Sequence, residues 1–136
     1  MDSIQATRER YAADIFPNFL GIELLELAPG FARVAVTLKE NMINLHGIGH
    51  GGAIFTLADT ALGLASNSHG NPAVALAVTI NYLAPARVGT QLIAEAREEH
   101  LTRRTGVYRV TIQSSTGQAI ALAHGTVYRQ ASKTEP

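Results

Sequence analysis

A chain of 136 residues with 46% apolar side chains has the size and composition of one globular domain, residues 1–136, with an ordinary core. Lysine plus arginine equals aspartate plus glutamate at 11 each, so no net field draws the chain to nucleic acid or an anionic membrane, and neither is expected as a partner. The lack of cysteine excludes disulfide scaffolds, thiolate metal sites and cysteine nucleophiles.

At the N-terminus, "MDSIQATRERYAADIF" carries charges where a signal peptide needs an apolar run. No segment approaches the roughly 18–20 apolar residues of a membrane span, and a cytoplasmic location is expected. From Ser3 to about Leu20 the pattern is that of an amphipathic helix. Ile4, Tyr11, Ile15 and Phe19 recur at helical intervals, with Pro17 near the end. Pro29-Gly30 then marks a turn between two short apolar runs, so Ile22–Ala28 and Phe31–Leu38 read as a hairpin. A loop rich in Asn, Gly and His runs from Lys39 to His50 and leads into a long apolar helix.

After the turn in "SHGNP" the chain changes to strand character, with runs at Val74–Leu83, Gln91–Leu101, Thr105–Ser115 and Ala119–Arg129. The third alternates well, with Tyr108, Val110 and Ile112 on one face. The tail "QASKTEP", 131–136 in particular, is expected to fray. Consecutive strands joined by short turns, with one very apolar helix, predict an α+β protein whose antiparallel sheet surrounds that helix.

From Gly51 the helix has apolar residues around most of its circumference, so burial nearly all round is expected. The polar exceptions, Thr56, Asp59, Thr60, Gly63, Ser66 and Asn67, fall in one narrow stripe. Asp59 is two turns in, too far along to serve the helix dipole. A buried carboxylate is costly unless bonded, so it is either a structural acid or a catalytic one with a shifted pKa. The helix entry, Gly49-His50-Gly51-Gly52, offers bare glycines where a capping side chain is usual. Free N–H groups there suit a developing oxyanion, although glycine is also a tolerated cap in a tight turn. Together the two features supply the parts of acyl-transfer hydrolysis: a group that polarises a carbonyl, and one that activates water or attacks.

Eight residues separate Gly51 from Asp59, about 12 Å along a helix. One carbonyl carbon does not easily reach both. The economical solution joins Gly51 of one subunit with Asp59 of another, giving a symmetric dimer with two composite sites. His46 and His50 are four apart, but in a glycine-rich loop that lacks the intervening Glu of a zinc hydrolase, so no metal is expected. No G-x-S-x-G occurs around Ser66, Ser68 and His69.

The spaced set Asn44, His50-Gly51-Gly52 and Leu57-Ala58-Asp59, within "NLHGIGHGGAIFTLADTALGLASNSHG", resembles the signature of hotdog-fold acyl-CoA thioesterases of the phenylacetate-pathway, PaaI-type branch. The likeness extends through "AVALAVTINYLAPARVGTQLIAEA" and "LTRRTGVYRV", with no departure at the signature positions. It implies a hotdog fold: an antiparallel sheet wrapped around one long central helix, with an N-terminal helix. It also implies an edge-to-edge homodimer, usually a homotetramer as a dimer of dimers, and hydrolysis of acyl-CoA substrates such as phenylacetyl-CoA, without a further cofactor. By position, Asp59 would be base or nucleophile and the Gly51 N–H would bind the thioester oxygen. Asn44 would place water or thioester, His50 would fix the loop and Thr60 would touch the site. Coenzyme A would lie along Thr79, Asn81 and Tyr82, with Arg103 and Arg104 suited to its phosphates. Two other activities stay open: a dehydratase or hydratase of the same fold, and an acyl-CoA sensor or carrier without turnover.

Overall fold

The computed structural model describes residues 2–131; the tail beyond lies outside the described residues. Two short helices open the chain, α1 (Ser3–Ala12) and α2 (Ile15–Phe19). Strands β1 (Glu23–Ala28) and β2 (Phe31–Thr37) follow, then a 3-10 turn at Glu40–Met42 and the long helix α3 (Gly51–Asn67). Strands β3 (Ala73–Tyr82), β4 (Gln91–Leu101), β5 (Thr105–Ser114) and β6 (Ala119–Arg129) complete one antiparallel sheet, ordered β1-β2-β4-β5-β6-β3. No described helix is long and apolar enough to cross a membrane.

The single N-terminal helix expected from the apolar spacing is two. Pro17 has no N–H to donate, and its ring would collide with the carbonyl of Ala13, so a helix cannot continue through that point. Asp2 caps α1, its Oδ1 accepting from Gln5 N–H at 2.8 Å. At the break, Asn18 Nδ2 donates to the carbonyls of Tyr11 (2.8 Å) and Asp14 (2.7 Å), tying α2 back onto the end of α1. Tyr11 is buried as expected and donates to the Ile22 carbonyl at 2.6 Å. Ile15 and Phe19 are instead 83% and 76% exposed, because the break turns them out of the stripe they were expected to share with Tyr11.

Helix α3 lies across the sheet and touches all six strands. Leu57, Ala58, Ala61, Leu62 and Ala65 meet inward side chains of the strands, among them Val34, Ala94, Ala96, Val110, Ile112 and Ala123, all essentially free of solvent. Small residues let the helix come close. A Cβ at Gly125 of β6 would stand 2.6 Å from a methyl of Leu62, so any larger residue there would force Leu62 out of its place between helix and sheet.

The C-terminal end of α3 is fastened by polar groups. Ser68 Oγ accepts from Gly30 N–H at 2.8 Å, and His69 Nε2 lies 2.7 Å from Glu98 Oε1. Tyr108, fully buried in β5, donates to the same Glu98 oxygen at 2.8 Å. Burial, and then the bond and charge of Glu98, raise this phenol above its ordinary range, so it remains a donor. Tyr108→Phe removes a neutral donor from a carboxylate; urea titration is expected to show a loss of about 1.5–3 kcal/mol with an unchanged m-value.

Candidate active site

The loop before α3 is closed by its own backbone. Asn44 N–H donates to the Ile48 carbonyl at 2.8 Å and Gly47 N–H to the Asn44 carbonyl at 3.0 Å. Asn44 Oδ1 accepts from His46 N–H (2.9 Å) and Ile48 N–H (3.4 Å), which turns its Nδ2 away from the loop. Gly49 N–H reaches the Ala86 carbonyl and His50 N–H the Met42 carbonyl, both at 2.7 Å. The start of the helix is thus held from both sides.

That start is capped, which corrects the expectation of a bare glycine entry. His50 occupies the N-cap with extended backbone, and its Nδ1 accepts from Gly52 N–H at 2.9 Å. The acceptor bond requires a bare Nδ1, and hence a neutral imidazole with its proton on Nε2. Ala53 and Ile54 N–H groups both turn to the His50 carbonyl. Of the first four donors of α3, Gly51 N–H alone has no acceptor among the described residues. Gly51 lines a cavity of about 450 Å³ together with Asn44, Ile48, Tyr82 and Leu83.

Asp59 is not buried, and α3 is not covered all round. The stripe of Thr56, Asp59, Thr60, Gly63 and Asn67 looks away from the sheet into a second cleft, of about 410 Å³, roofed by α1 and α2. Ser66, expected in that stripe, is buried beside it and bonds back to the Gly63 carbonyl. The hydroxyls of Thr56 and Thr60 donate to the carbonyls of Gly52 (2.8 Å) and Thr56 (2.7 Å), so Thr60 presents only lone pairs to the cleft. Among the described residues the Asp59 carboxylate has no hydrogen bond or ion pair. Phe16, Pro17, Phe55 and Leu64 help line the cleft, and partial desolvation there raises the Asp59 pKa above the ordinary carboxylate value.

Residues that spacing could not connect to Asp59 also line this cleft: Thr7, Arg10, Tyr11, Asp14 and Phe16. They lie more than forty positions upstream, and the only local signal was the proline that bends the segment over α3. Burial, and then the Asp14 charge, push the Tyr11 phenol up to about 12, so it stays neutral.

The structure brings Asn44, His50, Gly51 and Tyr82 together, and separately Asp59 and Thr60. Gly51 and Asp59 open into different clefts of one chain. Thr79, Asn81 and Tyr82 lie exposed along β3, an edge strand. Arg103 and Arg104, in the β4–β5 turn, are at its other end: the Arg104 carbonyl accepts from Arg129 N–H, and Arg129 pairs with Ala73. A ten-residue strand, roughly 30 Å long, therefore separates both arginines from Tyr82 within one chain.

Residues 46–121 match the model of the thioesterase superfamily. The acyl-coenzyme A thioesterase PaaI of Escherichia coli K12 is 39% identical over 92% of this chain and 89% of its own. The solved structure of E. coli PaaI superposes with a TM-score of 0.92 at 38% identity, covering 95% of this chain and 94% of that one. A variant of the phenylacetic acid degradation protein PaaI from Thermus thermophilus gives a TM-score of 0.83 at 45% identity, covering 86% of this chain and all (100%) of the other. The Streptococcus mutans protein smu.793, solved with acetyl-CoA bound, is 33% identical with a TM-score of 0.79, over 83% of this chain and 91% of that one. A six-stranded antiparallel sheet around a long helix, the HGG–LAD spacing and these likenesses together place the chain in the thioesterase superfamily, as a hotdog-fold acyl-CoA thioesterase of the PaaI type.

Proposed function

We propose that this thioesterase hydrolyses arylacetyl-CoA thioesters, phenylacetyl-CoA and its ring-hydroxylated relatives first among them, within the cytoplasmic breakdown of aromatic acids. The catalytic centres are composite, each formed by Gly51 of one chain and Asp59 of another. The observation that carries this is the division of labour on α3: the free Gly51 N–H opens to one cleft and the unpartnered Asp59 carboxylate to another. One thioester carbon needs both groups, and a second copy supplies the missing half.

Strand β3 gives the second copy a place to dock. It is an edge of ten residues without a charge or a proline, whereas the opposite edge, β1, is six residues long with two glutamates and a bulge. Natural edges left in water are short or charged, as β1 is; β3, although bulged between Ala75 and Ala77, is long and uncharged. Antiparallel pairing of two β3 strands about a two-fold axis sets the Tyr82 end of one beside the Ala73 end of the other. That arrangement carries the partner's Arg103 and Arg104 toward the coenzyme A that lies along Thr79, Asn81 and Tyr82. Exposed Ile15, Phe16 and Phe19 support further packing of dimers into a homotetramer.

In the reaction the thioester oxygen sits on the Gly51 N–H, at the positive end of the helix dipole, with Asn44 Nδ2 beside it. Asp59 of the partner takes a proton from water, and the resulting hydroxide attacks the carbonyl carbon. The tetrahedral oxyanion then collapses, breaking the carbon–sulfur bond, and the coenzyme A thiolate takes up the proton. The aryl group fits among Phe16, Pro17, Phe55 and Leu64 in a cleft of suitable size for a small acyl chain.

Over a panel of aryl, short-chain and long-chain acyl-CoAs, thiol release is expected to be fastest with arylacetyl groups. Asp59→Asn is expected to lower it by about 10²–10⁴-fold with the oligomer intact. Binding without thiol release by the wild type would make the chain a carrier instead. In a single turnover in ¹⁸O-water, label enters the released acid directly if Asp59 activates water, and enters Asp59 first if the carboxylate attacks.

Composite sites predict complementation. Gly51→Pro deletes the N–H at the first helical position, where proline is tolerated, and His50 already has the extended backbone a following proline requires. Alone it is expected to cost about 10²–10³-fold in kcat, while Gly51→Ala, which keeps the N–H, costs less. Random co-assembly of Gly51→Pro with Asp59→Asn chains is expected to recover about a quarter of wild-type activity, since half the dimers then hold one intact site. Activity from one chain alone would show no such recovery.

The raised Asp59 pKa sets two further outcomes. Activity should be lost on the acid side at a pH above the ordinary aspartate range, because the protonated acid cannot accept a proton. A carboxyl whose folded pKa is raised weakens the fold once it ionises, above that pKa, and has no such effect below the unfolded value. Asp59→Asn is therefore expected to raise the Tm at neutral pH and leave it unchanged in strong acid.

A further inference from the structure

The side chain of Tyr82 lies against the first residue of α3. A Cβ at Gly51 would stand 3.2 Å from Tyr82 Cζ and 3.3 Å from its hydroxyl oxygen, so the ring rests directly on the glycine. The hydroxyl donates to the Gly51 carbonyl at 2.9 Å. That carbonyl belongs to the peptide joining Gly51 to Gly52, and the N–H of the same peptide donates to His50 Nδ1 at 2.9 Å. A phenol, one peptide group and an imidazole thus form a continuous hydrogen-bonded chain, running O–H to C=O and N–H to Nδ1.

Each bond in such a chain polarises the next. Donation from the phenol makes the Gly52 N–H a stronger donor, which favours the imidazole tautomer that accepts at Nδ1. It also holds the first turn of the helix from the β3 side, so that Gly51 N–H remains turned to the cavity. The bond is not needed to satisfy the carbonyl, which as a helical group meets the N–H four residues on. Nor does the ring gain much from burial, being half exposed in the chain. What the hydroxyl adds is orientation and polarisation of a turn whose one free donor belongs to Gly51, at the cavity.

We infer that Tyr82 is a positioning residue for thioester hydrolysis, acting through the Gly51–Gly52 peptide on His50 and on the aim of the Gly51 N–H. The family resemblance had placed the β3 backbone at Tyr82 beside coenzyme A; its hydroxyl has this separate task. The inference rests on the assignment of Gly51 N–H as the oxyanion donor.

Tyr82→Phe keeps the ring on Gly51 and deletes only the hydroxyl. It is expected to lower kcat about five- to tenfold, by the loss of one hydrogen bond's effect, with KM for the acyl-CoA unchanged. In ¹⁵N spectra of the substrate-free protein, wild-type His50 is expected to show a bare Nδ1 and a protonated Nε2. In Tyr82→Phe the signals should shift toward tautomer exchange, and the Gly52 amide should exchange with solvent faster. In the His50→Ala background, which removes the acceptor of Gly52 N–H, Tyr82→Phe should have little further effect on kcat. A higher KM with unchanged kcat would overturn the inference and give the Tyr82 hydroxyl to substrate binding alone; a wild-type His50 protonated at Nδ1 would overturn it too. The spectra need no substrate. A protein that fails to hydrolyse the acyl-CoA panel yet shows the tautomer change would overturn the Gly51 assignment while leaving the Tyr82–His50 linkage in place.

Discussion

The architecture depends on one demand: a helix with too little polar surface to face water must be enclosed by a sheet that reaches it from every strand. Close approach makes this possible, and the contact of Leu62 on Gly125 shows how little space is left. Once the sheet holds most of the helix circumference, its polar residues have one direction left to face. The stripe carrying Asp59 looks outward, and the N-terminus emerges at the rim beside the end of β3. Both chemical groups are set on the same rigid element, which fixes their separation as firmly as it fixes their orientation.

Enclosure also explains how a helix capped by histidine keeps one N–H free for the anion proposed to bind there. Histidine is not a common N-cap, yet at position 50 its ring satisfies the second N–H of the helix while its own carbonyl takes the third and fourth. One donor is left over. Asp59 is handled in a complementary way, crowded enough by apolar neighbours to have a raised pKa and open enough to meet a ligand. Keeping an unpaired carboxylate in that setting gives up stability, the usual cost of the catalytic role proposed for it.

Much of this could be read from the residues in order. Strand alternation in Thr105–Ser114, the turn at Pro29-Gly30 and the apolar run after Gly51 placed most of the elements to within a residue or so. The spaced Asn44, HGG and LAD set carried the family, and helix rise alone separated Gly51 from Asp59. What failed were statements about direction. A periodic pattern reveals that Thr56, Asp59, Thr60 and Gly63 share a face, but not which face the sheet leaves open, so Asp59 was expected inside. Ser66 fell on the other side of the same boundary. The apolar spacing of Ile15 and Phe19 suggested one helix because it outweighed the steric block at Pro17. The roof over Asp59 and the reach of Tyr82 to Gly51 are contacts across long stretches of chain, on which local spacing is silent. The predicted fraying of the tail lies outside the described residues.

The outer edge of β3 has a consequence for how the molecule is made and kept. As an edge strand, β3 leaves about half of its backbone donors and acceptors without a strand partner among the described residues, and neither charge nor proline guards them. A newly made chain therefore carries a template for other strands until a matching edge covers it. Under the proposed β3–β3 pairing, persistence of the fold depends on mass action as well as on packing, since a strand that covers the edge adds to stability in proportion to the logarithm of its concentration. For such a protein a single melting temperature is incomplete without the concentration at which it was measured.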